Sequence, residues 1–147
     1  MDTNNTKRID FKSLKYVPKI LTSALFFILY GAVAILFLGR KSGTFRLNFI
    51  LEQMPDFYLH ISNFALSYLF FAGVGYFWLM MGVRFRYIVV FGIALLLANL
   101  IYELYIPLLN TPDIVDAYFG FTGILLGFLF LYYVYKYGLN PNLEVDQ

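Results

Sequence analysis

Few residues in this 147-residue chain can do chemistry, and those few stand at the margins of long apolar runs. The one histidine, His60, follows Asp56 by four residues. On a helix the two share a face, where a carboxylate can fix the tautomer of an imidazole. Asn63 and Ser67 continue that face. Glu103 has Asn99 one turn before it, with Leu96 and Gly92 further along the same stripe, and Pro107 four residues after it. Proline lacks an N–H, so the carbonyl of Glu103 loses its helical partner. Asp113 and Asp116 form a third acidic group. Acids around one imidazole suit proton transfer, or the binding of a cation, an amine or a hydrogen-bonding head group. His60 and Glu103 are the acid–base pair an enzyme would use. No nucleophile motif or phosphate-binding loop accompanies them, and catalysis is not expected. HExxH and similar fixed ligand spacings are absent, so neither a metal nor a cofactor is expected. The chain has no cysteine, which excludes disulfides and thiolate chemistry.

The elements that must position these groups are membrane helices. The chain is 61% hydrophobic and 21% aromatic with only 14% charged residues, and its mean hydropathy is +0.70. A soluble domain carries about a quarter charged residues. A helical span needs roughly 20 mainly apolar residues, and four stretches qualify: Ile20–Leu38, about Leu59–Val83, Tyr87 to about Leu109, and about Ile114–Tyr137. The expected fold is an all-α bundle of four transmembrane helices, with a basic arm over residues 1–19, a membrane domain over 20–137 and a tail over 138–147. Lys7, Arg8, Lys12, Lys15, Lys19, Arg84, Arg86 and Lys136 fall on one side of this topology, eight of the eleven basic residues. Loops rich in Lys and Arg stay cytoplasmic. Both termini are therefore expected inside, in the cytoplasmic membrane, with Tyr132, Tyr133, Tyr135 and Tyr137 as an aromatic belt. A net charge of +2 with no basic aromatic face excludes nucleic acid as a partner.

In this topology Asp56, His60, Asn63, Asn99, Glu103, Asp113 and Asp116 all belong at the outer ends of spans two, three and four. Glu103 lies roughly 9 Å deep at about 1.5 Å per residue. An ionisable side chain there is costly and marks a functional candidate. Polar stripes must face the bundle interior, because lipid cannot satisfy them, so the three are expected to meet in one outward pocket. Arg46 is the loop cation expected to reach it. Thr111 is expected to cap the fourth helix, with Pro112 in its first turn. Asp113, Asp116, Gly120, Gly123 and Gly127 then form one face, and the G-x-x-x-G pair Gly123 and Gly127 permits close helix approach. Its expected partner is another helix of the same chain, with a homo- or hetero-oligomer contact as the alternative. Gly39, at a span end, is expected to tolerate a side chain. Residues 45–52 mix apolar and charged types and suit either an interfacial segment or an ordinary loop.

Two stretches resemble the VanZ-like family, bacterial membrane proteins named after a teicoplanin-resistance protein. The first is Asp56-Phe57-Tyr58-Leu59-His60-Ile61-Ser62-Asn63-Phe64, an acid shortly before a histidine at the start of an aromatic span. The second is Glu103 near a span end, then Asp113 and Asp116, then Gly123 and Gly127. The family's frequent glutamine, arginine and asparagine positions hold Ile106, Asn110 and Gly120 here. The resemblance implies a role at the cell envelope and, in some members, reduced glycopeptide susceptibility. Membrane lipids and a cell-wall precursor or glycopeptide are the partners that follow. A small subunit or assembly factor of a larger membrane complex is the rival reading.

Overall fold

The computed structural model describes residues 14–105 and 113–142. A short strand, β1 (Tyr16–Pro18), precedes α1 (Ile20–Leu38). A loop carrying a single 3-10 turn and the short helix α2 (Asn48–Gln53) leads to α3 (Phe57–Met80), α4 (Phe85–Tyr105) and α5 (Ile114–Tyr133). A π turn over Val134–Gly138 and the strand β2 (Leu139–Pro141) close the chain. Four helices are long and apolar enough to cross a membrane. At 1.5 Å per residue, 19 to 24 residues reach about 28–36 Å, which matches a hydrocarbon core of about 30 Å. In such a solvent a helix forms because it pairs its own backbone groups.

The core is the α3–α5 pair. On α3 the buried stripe is Tyr58, Ile61, Ala65, Tyr68, Ala72, Tyr76 and Leu79, and on α5 it is Asp116, Gly120, Gly123, Gly127 and Leu131. Steps of three and four keep each stripe on one side of its helix. Gly123 brings the backbones together, because a Cβ there would strike the carbonyl of Phe64 and stand 3.1 Å from the Tyr68 nitrogen. The buried ring of Phe71 is wedged between the glycines of two other helices, 2.9 Å from a Cβ placed on Gly92 and 3.0 Å from one on Gly127. Gly123 and Gly127 thus meet α3 of the same chain, and Gly120 meets Asn99 of α4. On the outside, Phe26 of α1 stacks on Tyr76 of α3 at 4.1 Å and 6°. The outward faces of α1 and α4 carry exposed apolar side chains such as Phe27, Ile28, Val90 and Leu97.

Several expectations change. The described end of the arm pairs with the start of the tail. Tyr16 pairs with Pro141 and Pro18 with Leu139 in an antiparallel ladder, extended by Asn142 donating to the carbonyls of Leu14 and Lys15. The clip seats on the α3–α4 turn, where Gly82 at φ +79 lies under the Lys15 side chain. Helix α5 begins at Ile114, and its cap is Asp113, whose Oδ1 accepts from the Val115 N–H at 2.8 Å. Thr111, Pro112 and Pro107 lie outside the described residues, as do residues 1–13 and 143–147. Gly39 is not a permissive site either: a Cβ there would meet the ring of Tyr58 and stand 3.1 Å from the carbonyl oxygens of Leu36 and Phe45. The loop after it folds over the start of α3, so the position is enclosed.

Candidate functional site

The ends of α1 and α4 and the starts of α3 and α5 meet at one end of the bundle. There the polar side chains of three helices turn toward one another. His60 leaves α3 one turn after its start and points at α5, with Nδ1 2.8 Å from Oδ1 of Asp116 and 3.7 Å from Oδ2 of Asp113. Its ring rests against Phe119, centroids 5.5 Å apart. Asp113 therefore uses one oxygen to hold the helix start and turns the other toward the imidazole. Asn63, nearly one turn beyond His60, donates from Nδ2 to Oε1 of Glu103 on α4 at 2.8 Å. Glu103 is 3% exposed, the most enclosed acid described. Asn99, one turn earlier on α4, donates to the Ala117 carbonyl at 3.3 Å. The absence of a side chain at Gly120 makes this possible, since a Cβ there would overlap the Asn99 amide.

Of the seven polar residues singled out in the sequence, six line a single cleft of about 1060 Å³: His60, Asn63, Asn99, Glu103, Asp113 and Asp116. Asp56 is not among them. It stands exposed at the N-cap position of α3, with no side-chain bond to the helix start, while His60 bonds to α5 instead of pairing back along its own helix. A helical i, i+4 spacing permitted the Asp56–His60 pair, but two carboxylates from a facing helix offered the imidazole better enclosed partners. The cation also differs from the expected one. Arg46 folds back onto its own loop, donating to the carbonyls of Gly39 at 2.8 Å and Arg40 at 3.3 Å, with its guanidinium 5.6 Å over the Tyr58 ring. Arg40, which the sequence marks only as a stop after the first span, lines the cleft and donates to Ser62 Oγ. Its place directly after the last apolar turn of α1 was the available signal, because that turn ends at the level where the acids begin.

The cleft lies between α3 and α4. These two helices, though joined by a short turn, touch each other less than either touches α5. Its charged end holds Arg40, His60 and the three acids. Toward the middle of the helices its walls become Leu66, Phe70 and Leu95, with Leu66 and Phe70 each 57% exposed. Ligand atoms of His60, Asp113 and Asp116 lie within 4.8 Å of one another, a grouping that no spacing in the sequence announces. Among the described residues His60 bonds to carboxylates and to no hydroxyl. The arrangement orients an imidazole and offers acceptors to a cation.

Compared with protein families, with curated proteins and with solved structures, the chain matches none.

Proposed function

We propose that this protein holds the polar head of a membrane amphiphile in its α3–α4 cleft, without catalysis, and that it is a divergent VanZ-like protein of the bacterial cell envelope. A lipid head group, a cell-wall precursor or a glycopeptide antibiotic fits this reading. The observation that carries it is the grading of the cleft along the helices. Charged and amide groups gather at one end, apolar walls follow, and the α3–α4 side lies open. Water-soluble ligands have no use for the apolar half, and hydrocarbon alone leaves the polar half unsatisfied. The charged end faces outward in this reading, because Arg84, Arg86, Lys136 and the N-terminal basic residues then lie on the cytoplasmic side. The resemblance in Asp56–Phe64 and Glu103–Gly127 supplies the envelope role.

Two experiments test it. Asn48 is exposed on α2, and the chain has no native cysteine, so an impermeant thiol reagent should label Asn48→Cys in intact cells. Labelling only after lysis refutes the orientation. Glu103→Gln and His60→Ala should abolish whatever resistance or envelope phenotype the gene confers, with membrane levels unchanged. Activity that falls only in step with the amount of folded protein would make the cleft a structural feature.

A further inference from the structure

Resting on that reading, we infer that the occupant is a zwitterionic aminophospholipid of the phosphatidylethanolamine type, entering sideways from the bilayer between α3 and α4. Charge complementarity selects the head. One wall presents a guanidinium, Arg40, steadied by Ser62, and guanidinium groups pair with phosphate through parallel N–H donors. The other presents Asp113 and Asp116, both turned toward Nδ1 of His60, acceptors suited to a primary ammonium. Both signs line the same cleft. A head bearing only negative charge would satisfy Arg40 and be repelled by three acids. A purely cationic head would leave Arg40 in the cleft without an anion. A phosphate and an ammonium separated by two carbons answer both walls at once. Charges withdrawn from water stabilise only when each finds its opposite.

Entry from the side follows from what lies below the charges. From His60 to Phe70 the cleft runs down α3 for about 15 Å at 1.5 Å per residue, the depth of half a hydrocarbon core. Over that length Leu66 and Phe70 are exposed on the α3 wall and Leu95 stands on the α4 wall. The lower cleft is therefore shaped for an acyl chain in continuity with lipid.

The full-length protein, purified in detergent, is titrated with phosphatidylethanolamine or phosphatidylglycerol of identical acyl chains, and bound lipid is counted by native mass spectrometry. The expected result is retention of phosphatidylethanolamine at least about tenfold better than phosphatidylglycerol. The Asp113→Asn/Asp116→Asn double variant should lose that preference, Arg40→Gln should weaken both lipids, and Leu66→Trp, placed in the open side of the cleft, should exclude both. Melting curves of each variant show whether it is folded, and Leu66→Trp tests entry without touching a charged group. Equal or better retention of phosphatidylglycerol overturns the zwitterion assignment and leaves amphiphile binding intact. Phosphatidylglycerol binding that appears only with added divalent cation, and is stripped by chelator, also overturns it, by making His60, Asp113 and Asp116 a metal site. Retention of neither lipid above the level of the Leu66→Trp variant overturns both this inference and the function it rests on.

Discussion

Adding one methyl group at Gly123 should separate the two helices that form the core. A Cβ there would overlap the Phe64 carbonyl oxygen and stand 3.1 Å from both the Phe64 carbonyl carbon and the Tyr68 nitrogen. All three atoms belong to the backbone of α3, so none can rotate away as a side-chain tip would. Either α5 moves off α3 along its whole buried stripe, or the overlap stays. Overpacking of this kind costs about 1–3 kcal/mol, and three simultaneous backbone contacts place it toward the upper end. Replacing glycine by alanine in a helix returns up to about 1 kcal/mol, which leaves Gly123→Ala destabilised by about 1–2 kcal/mol. Gly31 supplies the opposite case. It lies inside α1 with nothing within 4 Å of its would-be Cβ, so Gly31→Ala keeps the propensity gain alone. The two variants should differ by about 2–3 kcal/mol. Thermal unfolding in one detergent would show this as a gap of roughly 10 °C, at about 4 °C per kcal/mol for a domain of this size. Gly123→Leu should prevent assembly of the bundle. A Gly123→Ala variant that melts at or above Gly31→Ala would refute the reading of α3–α5 as a backbone-to-backbone contact.

Removing the donor to the enclosed acid should also be measurable. Asn63→Leu deprives Glu103 Oε1 of its 2.8 Å hydrogen bond and should cost about 1–3 kcal/mol in thermal stability. Glu103→Gln keeps a carbonyl acceptor at that position and should cost less than Asn63→Leu; the reverse ranking would dismiss this bond as a structural link. At the other end of the bundle, Val17 and Asn140 are cross-strand partners, within the roughly 4.4–6.8 Å Cα range that a disulfide spans. The Val17→Cys/Asn140→Cys protein should close an intramolecular crosslink on mild oxidation, and dimers in place of that product would refute the clip.

Much of the framework was legible because a bilayer leaves a chain few choices. Runs of about 20 apolar residues must be helices, and a polar stripe on such a helix must turn inward. The four spans and the face holding Gly123 and Gly127 were therefore readable from spacing alone, and so was the shared level of His60, Asn63, Glu103, Asp113 and Asp116. Boundaries shifted by a few residues, since caps depend on local bonds: Asp113 accepts the Val115 N–H at the start of α5.

Pairings were decided elsewhere. Helical periodicity says which residues share a face, but not which face meets which. His60 lies on the same side of α3 as Asp56 by spacing, yet it bonds to Asp116 because α5 packs against α3. Three loop cations followed the first span, and only the folding of the loop over Tyr58 sent Arg46 to the Gly39 carbonyl and left Arg40 in the cleft. Gly39 looked free as a span end and is enclosed by that same loop. The β1–β2 clip joins segments more than 120 residues apart that carry no periodic pattern, so nothing in either alone marks the other as its partner. Local constraint by the membrane thus determined the helices and their inward faces, while contacts between residues distant in sequence determined the charges and walls that the cleft presents.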